Sequence, residues 1–407
     1  MLATVLLAAP GFARAAPAAA PSLTAGSAIL IDARDGHVLY RRAANTRRPI
    51  ASVTKLMTAL LSVERLSLKR RPRAAPYQAA AAESQIHLIP GERMSVADLL
   101  RALLLESAND AAVTLARAAG GSVEEFVDLM NRRAAELGLT QTHYANPVGL
   151  DETGNYSSAR DLARLASVVL RKDFLAETVD MPRARLLTGS RERIVDNRND
   201  LVARVPWIEG VKTGHTSQAG YVLVGAGVRK GARLVSVVLG TPSEAARDAD
   251  TLALLDYGLD LYRRVAPLRL HRPVGEAKVA FFGDRKVAIE PDRTVAISVR
   301  RDERVRTRIE APGELDGPLA AGARVGRASV YVDGRRVRTV RLVTGDAVPK
   351  AGLARKFAHW LVRPLTLLAL VAVGAVVIGR RRRRLAAADA ARRRRRQERR
   401  EAPRPLD

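Results

Sequence analysis

Three short motifs in a fixed order constrain this chain more than any other feature of its sequence. They are Ser52–Lys55 (SVTK), Ser107–Asn109 (SAN) and Lys212–Gly214 (KTG), whose first residues lie 55 and then 105 positions apart (107−52 and 212−107). The first supplies a hydroxyl beside an amine, the second a hydroxyl beside an amide, and the third a cation next to a glycine. Each motif alone occurs by chance in many chains. The ordered set predicts a fold that brings three distant segments together into one acyl-transfer site.

The chemistry explains why these residue types are needed. A serine hydroxyl is a weak nucleophile unless a neighbouring group takes its proton. On a helix, Lys55 lies three residues beyond Ser52 and shares its face, so it is the candidate base. A lysine accepts a proton only when it is neutral, which near pH 7 requires burial or a second cation. Lys212 is the candidate second cation, and Gly214 allows the backbone to pass close to a ligand.

Each motif also has a purely structural interpretation. Ser52 is a common type of helix cap and would leave Lys55 exposed to solvent. Asn109 in its alanine- and leucine-rich context would mark a helix end, and the KTG motif would form a solvated turn. The order and spacing of the three motifs favour the catalytic interpretation.

Flanking segments extend the pattern. Together with the motifs they resemble the D-alanyl-D-alanine carboxypeptidases, the low-mass penicillin-binding proteins of peptidase family S11. The resemblance covers roughly Ala25 to Tyr262 and continues more weakly into a C-terminal β domain. The matching segments lie at 28–40, 48–58, 107–112, 146–151, 156–162, 197–199, 210–216 and 219–221.

The resemblance implies a catalytic role for four residues of the first two motifs. Ser52 would be the acylated nucleophile and Lys55 its base. Ser107 would relay a proton between Lys55 and the leaving amine, and Asn109 would hold the peptide amide of the substrate.

The third motif and its neighbours would bind the substrate, again by the resemblance. Lys212 and Thr213 would hold its terminal carboxylate, and Gly214 would allow its close approach. The backbone N–H groups of Ser52 and His215 would form the oxyanion hole. Arg247 would lie near the substrate carboxylate.

The side chain of His215 has a second interpretation as part of a Ser-His-Asp triad. We favour the reading in which only its backbone takes part, because Lys55 already supplies the base. The other five histidines are scattered without metal-ligand spacing, and the chain has no cysteine. The sequence therefore predicts neither a metal nor a cofactor.

The fold class expected from pattern and resemblance is α+β. Val96–Leu105 and Arg160–Leu170 have helical periodicity, whereas Val222–Gly227 and Leu234–Leu239 read as buried strands. We expect a β-lactamase/transpeptidase-like catalytic domain: an antiparallel sheet flanked by helices, with a helical lobe between the first and third motifs. Short alternating runs after Ala266 predict a small all-β sandwich.

The two ends of the chain predict export and membrane attachment. Apolar residues followed by Ala13-Arg14-Ala15 resemble a secretory signal with its cleavage site. Residues 364–379 are an uncharged run of 16; counted from Trp360 the stretch is 20 residues, enough for about 30 Å of helix. The predicted division is 1–21 signal peptide and short linker, 22–263 catalytic domain, 264–346 β-sandwich domain, 347–362 juxtamembrane connector, 363–379 transmembrane helix and 380–407 arginine-rich cytoplasmic tail.

Charge is the remaining constraint. The net charge is +26, and the segment 380–407 has 13 arginines against four acidic residues, or +9. Positively charged segments that flank a membrane helix stay in the cytoplasm. The chain would therefore cross the cell membrane once, with the catalytic domain on the extracytoplasmic side. The tail could also bind nucleic acid through its charge, but no aromatic or zinc-finger pattern accompanies it. We favour a topology determinant that contacts anionic lipids.

The resemblance implies a serine DD-carboxypeptidase that removes the terminal D-alanine from peptidoglycan pentapeptide stems. Peptidoglycan stem peptides would be its substrates and β-lactam antibiotics its covalent inhibitors. A DD-endopeptidase on the same site is the alternative. A β-lactamase is less favoured, because no ExxLN string lies between the second and third motifs and the nearest acid is Glu152. A non-catalytic wall-binding protein would not need the intact motif set.

Overall fold

The structure is a computed structural model that describes residues 2–8, 19–361 and 364–401. It divides into two compact units. The motif unit comprises Gly11–Val265 with Ile297–Glu303, and the C-terminal unit comprises Met1–Pro10, Ala266–Ala296 and Arg304–Asp407. The main division therefore lies two residues beyond the predicted boundary between 263 and 264.

The first described element is strand β1, Leu2–Ala8, which belongs to the C-terminal unit. We predicted a signal peptide and linker at 1–21. Residues 9–18, which contain the predicted cleavage site, lie outside the described residues. The signal peptide stays a prediction.

The motif unit combines one main sheet with two groups of helices. Its strands are β2 (Ser27–Asp32), β3 (Val38–Arg42), β4 (Arg183–Leu186), β5 (Arg193–Asp196), β6 (Ile208–Thr216), β7 (Gly220–Arg229), β8 (Ala232–Thr241) and β9 (Tyr262–Leu268). Its helices are α1 (Lys55–Arg65), α2 (Val96–Arg101), α3 (Asn109–Gly120), α4 (Val123–Glu136), α5 (Ala159–Val169), α6 (Asp173–Val179), α7 (Leu201–Arg204) and α8 (Glu244–Asp260).

The main sheet is antiparallel with strand order β3-β2-β8-β7-β6. Both of its faces are covered, which explains the continuous apolar runs of β7 and β8. Val235 and Val237 of β8 pack into a core with the helices between the first and third motifs, whereas Leu234 and Val238 pack against α8. The predicted sheet, flanking helices and helical lobe are confirmed, and β6 with the KTG motif lies at the sheet edge.

The helix predicted at Val96–Leu105 is shorter than expected. The Ser95 side chain accepts a hydrogen bond from the Asp98 N–H at 3.1 Å and starts α2. The α-helix ends at Arg101 and continues as a π turn, Ala102–Glu106, which delivers Ser107 in the left-handed region at φ +64°. Apolar periodicity does not distinguish these two helix types, so the sequence could not predict the change.

The C-terminal unit is β-rich, as predicted. Seven strands are hydrogen bonded in the single order β1-β13-β15-β16-β11-β10-β14. Alternation of apolar residues identifies strands but not their partners, so the packing of these strands as a sandwich stays a prediction. The strands of this sheet that follow β1 are β10 (Gly275–Val279), β11 (Lys286–Pro291), β13 (Val305–Pro312), β14 (Glu314–Leu315), β15 (Arg324–Val332) and β16 (Arg335–Thr344). Strand β12 (Val295–Arg300) pairs with β9 in a separate ladder, and its residues from Ile297 onward belong to the motif unit.

Two helices follow the sheet. They are α9, Leu353–Leu361, and α10, Pro364–Glu401, which takes the apolar run and the arginines that follow it into one helix. Within the described part of the chain, we find no helix with the length and apolar character needed to cross a membrane. The transmembrane helix at 363–379 stays a prediction.

Candidate active site

Ser52 lies in a tight 3₁₀ turn, Ala51–Thr54, immediately before α1. Ala51 adopts a left-handed backbone conformation at φ +49°, which is strained for a residue with a Cβ. Its carbonyl oxygen faces Gly149, where a Cβ would lie only 2.0 Å from that oxygen. A side chain at position 149 would therefore displace the turn that carries the nucleophile.

The Lys55 amine is fully buried at the start of α1. Its Nζ lies 2.9 Å from Ser52 Oγ and 2.5 Å from the Val148 carbonyl oxygen. Burial and then the nearby Lys212 lower the pKa of Lys55 well below its ordinary value, and Glu83 opposes this shift. A neutral amine can donate to Val148 and keep its lone pair for the Ser52 proton, which is what a general base requires.

Lys212 joins the second and third motifs. From the edge strand β6 its Nζ donates to Ser107 Oγ and to the Thr213 carbonyl oxygen, both at 3.0 Å. Its side chain is also fully buried, and it forms no ion pair within the described residues. Burial and then the positive charges of Arg198 and Arg247 lower the pKa of Lys212 to about 7, against the opposing effect of Glu106.

Asn109 begins α3 and is held by a loop that precedes α2. Its Nδ2 donates to Glu83 Oε2 at 2.6 Å, and its backbone N–H donates to the Ser84 carbonyl oxygen at 2.8 Å. Tyr77 donates its hydroxyl to the same Glu83 oxygen. Because a carboxylate only accepts hydrogen bonds, Glu83 fixes which side of the Asn109 amide carries the NH₂ group.

Glu83 is charged at neutral pH. Burial alone would raise its pKa, but hydrogen bonds from Tyr77, Ala80 and Asn109 and the nearby Lys55 together lower it. The site therefore contains one carboxylate that both orients Asn109 and stabilises a proton on Lys55.

Gly214 brings β6 against the nucleophile. A Cβ at this position would lie 2.9 Å from the Ser52 backbone nitrogen and 3.0 Å from the Ala51 Cβ. Glycine therefore allows the Ser52 N–H and the strand that carries His215 to approach each other, as an oxyanion hole built from these two residues requires. Thr213 is buried beside Lys212 on the same strand.

The His215 imidazole is exposed and packs on Tyr221, with ring centroids 4.1 Å apart. Among the described contacts it makes no hydrogen bond to Ser52, which agrees with a backbone role for His215 rather than a triad.

Arg247, predicted near the substrate carboxylate, lies in α8 and is buried. Its guanidinium pairs with Glu244 at 2.7 Å and with Asp248 at 2.8 Å. Its charge still lowers the pKa of Lys212, so it acts on the site electrostatically.

Three contributors were not identified from the sequence: the Val148 carbonyl, Glu83 and Arg198. Val148 was recognised only as part of a segment that matches the family, because residue type does not reveal where a backbone oxygen points. Glu83 lies in an alanine-rich stretch without periodicity. Arg198 stands between two asparagines and bonds Glu106 at the end of the π turn.

The geometry supports a two-part proton path. Ser52 can pass its proton to Lys55, and Ser107 is aligned to receive one from Lys212 or return one to it. From the sequence we predicted that Ser107 relays a proton between Lys55 and the leaving amine. In the structure the amine that is hydrogen bonded to Ser107 is that of Lys212. Such a site can form and release an ester on Ser52 without a cofactor.

Comparison with known proteins agrees with this geometry. The sequence model of the D-alanyl-D-alanine carboxypeptidase family of serine peptidases matches residues 14–243. That of the penicillin-binding protein 5 C-terminal domain matches residues 265–350. The chain belongs to peptidase family S11.

Relatives support the same assignment. The D-alanyl-D-alanine carboxypeptidase DacF of Bacillus subtilis is 31% identical over 83% of this chain and 90% of its own length. Penicillin-binding protein 5 of Haemophilus influenzae has a similar fold, with a TM-score of 0.57 and 28% identity over 82% of this chain and 99% of that structure. The Streptomyces K15 DD-transpeptidase matches 60% of this chain and 100% of its own, with 33% identity and a TM-score of 0.57.

The base assignment gives the first testable prediction for this family member. Lys55→Arg should lower the rate of penicillin acylation by about 10²–10⁴-fold, because arginine keeps the charge but cannot take the serine proton. Lys212→Arg keeps a cation and should retain partial activity. Stopped-flow acylation measures both, and near wild-type acylation by Lys55→Arg would move the base elsewhere, to His215 first.

The two lysines also predict a bell-shaped pH dependence of kcat/KM. At low pH the Lys55 amine is protonated and cannot act as base, so the rate rises with pH through its lowered pKa. Above about pH 7 Lys212 loses its positive charge, which is predicted to hold the substrate carboxylate, so the rate should fall. In Lys212→Arg the falling limb should disappear, since arginine stays charged. A falling limb that persists in this variant would assign it to another group.

Glu83→Gln provides a third prediction. Loss of the orienting carboxylate should lower kcat/KM about tenfold, in line with the value of a hydrogen bond to a charged group. Loss of its charge should also lower the pKa of Lys55 further and move the rising limb of the pH profile to lower pH. Glu136→Gln, an exposed glutamate on α4, is the matched control. If the rising limb of the pH profile does not move in Glu83→Gln, Glu83 has only a structural role. If only the deacylation rate falls, Glu83 acts on the water that attacks the ester.

Proposed function

We propose that this chain is a serine D-Ala-D-Ala carboxypeptidase that trims the terminal D-alanine from peptidoglycan pentapeptide stems through an acyl-enzyme on Ser52. The observation that carries the proposal is the pairing of two serine hydroxyls with two buried amines, Ser52 with Lys55 and Ser107 with Lys212. Membership of the carboxypeptidase family supports the substrate class.

The reaction follows from the residues in order. Ser52 Oγ attacks the carbonyl carbon of the penultimate D-alanine while its proton moves to Lys55. The backbone N–H groups of Ser52 and His215 stabilise the oxyanion. Collapse breaks the peptide C–N bond, and the leaving D-alanine amine takes a proton from Ser107, which Lys212 replaces. Water then attacks the ester and gives a proton through Ser107 back to Lys212, while Lys55 returns its proton to Ser52 Oγ as the ester bond breaks.

Substrate recognition uses charge and shape. Lys212 and Thr213 hold the terminal carboxylate, which a D-alanine leaving group presents and an internal peptide bond does not. Asn109 holds the preceding amide in the orientation that Glu83 sets. These contacts favour a free chain end, whereas a DD-endopeptidase must accept a cross-linked chain at the same position.

The test has two parts. Purified protein should release D-alanine from a monomeric pentapeptide faster than it cleaves a cross-linked dimer, and Ser52→Ala should abolish release. Mass spectrometry of residues 22–346 treated with penicillin should locate one penicilloyl adduct on Ser52. An adduct on Ser107, or no adduct, would refute the assignment of the acyl-enzyme to Ser52. Faster cleavage of the cross-linked dimer would favour a DD-endopeptidase. Rapid hydrolysis of penicillin would favour a β-lactamase.

We further propose that the chain is anchored in the cell membrane by its C-terminal segment, with the motif unit outside. Support comes from the uncharged run at 364–379 and the five arginines that follow at 380–384. Basic flanks resist translocation, and Arg363 at the other flank can extend its charge toward the headgroups. The anchor would keep the active site close to newly exported wall material.

The proposed orientation in the membrane can be tested by truncation and by protease accessibility. Deleting every residue after Lys350 should release active protein into the medium, because no residue of the candidate site lies beyond Arg247. Protease added to spheroplasts should digest the motif unit and spare an epitope placed after Asp407. Protection of the motif unit, or a truncated protein that stays in the membrane, would refute this orientation.

A further inference from the structure

An open cavity of about 580 Å³ lies in the motif unit, beside the end of the first catalytic helix. Its lining has six cationic side chains and no carboxylate. The lining residues are Lys69, Arg70, Arg71, Pro72, Arg73, Arg93, Thr114, Arg117 and Ala118. We call this feature the cationic cavity.

The six cations are unpaired within the described chain. No carboxylate oxygen lies within 4.0 Å of any of their nitrogens, and all six side chains are exposed. Elsewhere arginines pair readily, for example Arg133 with Glu64 at 2.8 Å and Arg229 with Asp256 at 3.1 Å. Six like charges around one concavity repel each other, and a bound anion relieves that repulsion.

The cavity walls are fixed by hydrogen bonds before any ligand binds. Arg93 Nη1 donates to the Arg71 carbonyl oxygen at 3.0 Å, and Arg73 and Arg93 form an antiparallel bridge. The Val96 N–H donates to the Arg70 carbonyl oxygen at 2.9 Å. On the opposite wall Thr114 Oγ1 accepts from the Ala75 N–H at 3.1 Å. A backbone that is already fixed loses less conformational entropy on binding than a mobile loop does.

The chemistry of the lining selects the ligand class. Small-molecule sites are largely apolar and enclosed, whereas this cavity is open and charged. Five of the six cations are arginines, whose planar guanidinium groups bind phosphate oxygens in pairs. No aromatic side chain is present for base stacking, so a single-stranded nucleic acid fits poorly. The concave shape, without protruding apolar groups, does not suit insertion into a membrane.

The location connects this cavity with catalysis. Arg117 lies eight residues along α3 from Asn109, which is about 12 Å at the helical rise. Residues 69–73 lead directly into the loop that supplies Glu83. A polymer seated in the cavity would therefore lie within reach of the stem peptides that enter the active site.

We propose that the cationic cavity binds a phosphodiester-bearing anionic polymer of the cell wall and holds the enzyme against its substrate meshwork. The proposal rests on the proposed function, because it assumes a wall substrate outside the membrane. It adds a polymer-binding site that is separate from the acyl-transfer residues.

The test uses the full chain and matched arginine variants. The cavity variant is Arg71→Gln/Arg73→Gln/Arg117→Gln, whose three side chains make no hydrogen bond among the described residues. The control is Arg41→Gln/Arg132→Gln/Arg171→Gln, which removes the same charge from exposed positions outside the cavity. The arginine-rich tail is present in both, so its contribution cancels.

The probe is synthetic poly(glycerol phosphate), compared with polyglutamate and a single-stranded oligonucleotide of similar charge. We expect the cavity variant to bind poly(glycerol phosphate) at least about tenfold more weakly than the control, with a shallower salt dependence. Bound polymer at about ten times its Kd should slow phenylglyoxal modification of Arg71 and Arg93 about tenfold, and leave Arg41 unaffected. The proposal would be overturned if both variants lost affinity for poly(glycerol phosphate) equally. It would also be overturned if the wild-type protein bound polyglutamate as tightly as poly(glycerol phosphate), or bound the oligonucleotide more tightly.

Hydrolysis of a small soluble pentapeptide separates this inference from the proposed function. The cavity variant should hydrolyse it at the wild-type rate, since the cavity lies outside the site. If wild-type protein binds the polymer but does not hydrolyse pentapeptide, the polymer site stands and the carboxypeptidase proposal fails. If hydrolysis is normal and polymer binding is absent, only the polymer site fails.

Discussion

The burial of two lysine amines next to each other is the constraint on which the active site depends. Lys55 and Lys212 are fully buried, and neither has a carboxylate within ion-pair distance in the described chain. An unpaired ammonium is expensive to bury, so burial makes the neutral amine accessible near neutral pH. Each amine instead contacts a serine hydroxyl and a backbone carbonyl, which a neutral amine can satisfy. The reactivity of Ser52 follows from this desolvation.

Two residues that position the serine hydroxyls have unusual backbone geometry. Ala51 and Ser107 both have positive φ, one just before the nucleophile and the other at the second hydroxyl. Ser107 also follows a π turn, a helix irregularity that often marks functional sites. Gly149 and Gly214 remove the two Cβ atoms that would obstruct the Ala51–Ser52 backbone. Backbone strain beside both serine hydroxyls of the site indicates that the surrounding fold is built to maintain it.

The sequence predicted the parts of this arrangement that depend on residue type. Lysine, serine, asparagine and glycine at the motif positions are chemically diagnostic, and apolar runs located the buried strands β7 and β8 and helix α5. The roles of Arg247 and His215 needed coordinates, because only these reveal that Arg247 is paired with two acids and that the His215 ring packs on Tyr221.

The contributions that sequence could not predict come from segments without periodicity. Between α1 and α2 the chain has no regular helix or strand, so its shape depends on individual anchors. Asp110 accepts from the Ile86 and Leu88 N–H groups at 3.2 and 2.9 Å. The buried pair of Arg193 with Glu92 adds hydrogen bonds from Arg193 to the Ile86 and His87 carbonyl oxygens. None of these partners is close in sequence.

This anchored loop links the two charged features of the motif unit. Its first part lines the cationic cavity, and its second part supplies Glu83 and Ser84 to Asn109. The same acid that fixes the Asn109 amide also opposes the lowering of the Lys55 pKa. One side chain therefore both orients the Asn109 amide and influences the protonation of Lys55. The loop that carries this side chain is anchored at Ile86, whose N–H donates to the Asp110 carboxylate and whose carbonyl oxygen accepts from Arg193. Both partners lie more than 20 positions away along the chain.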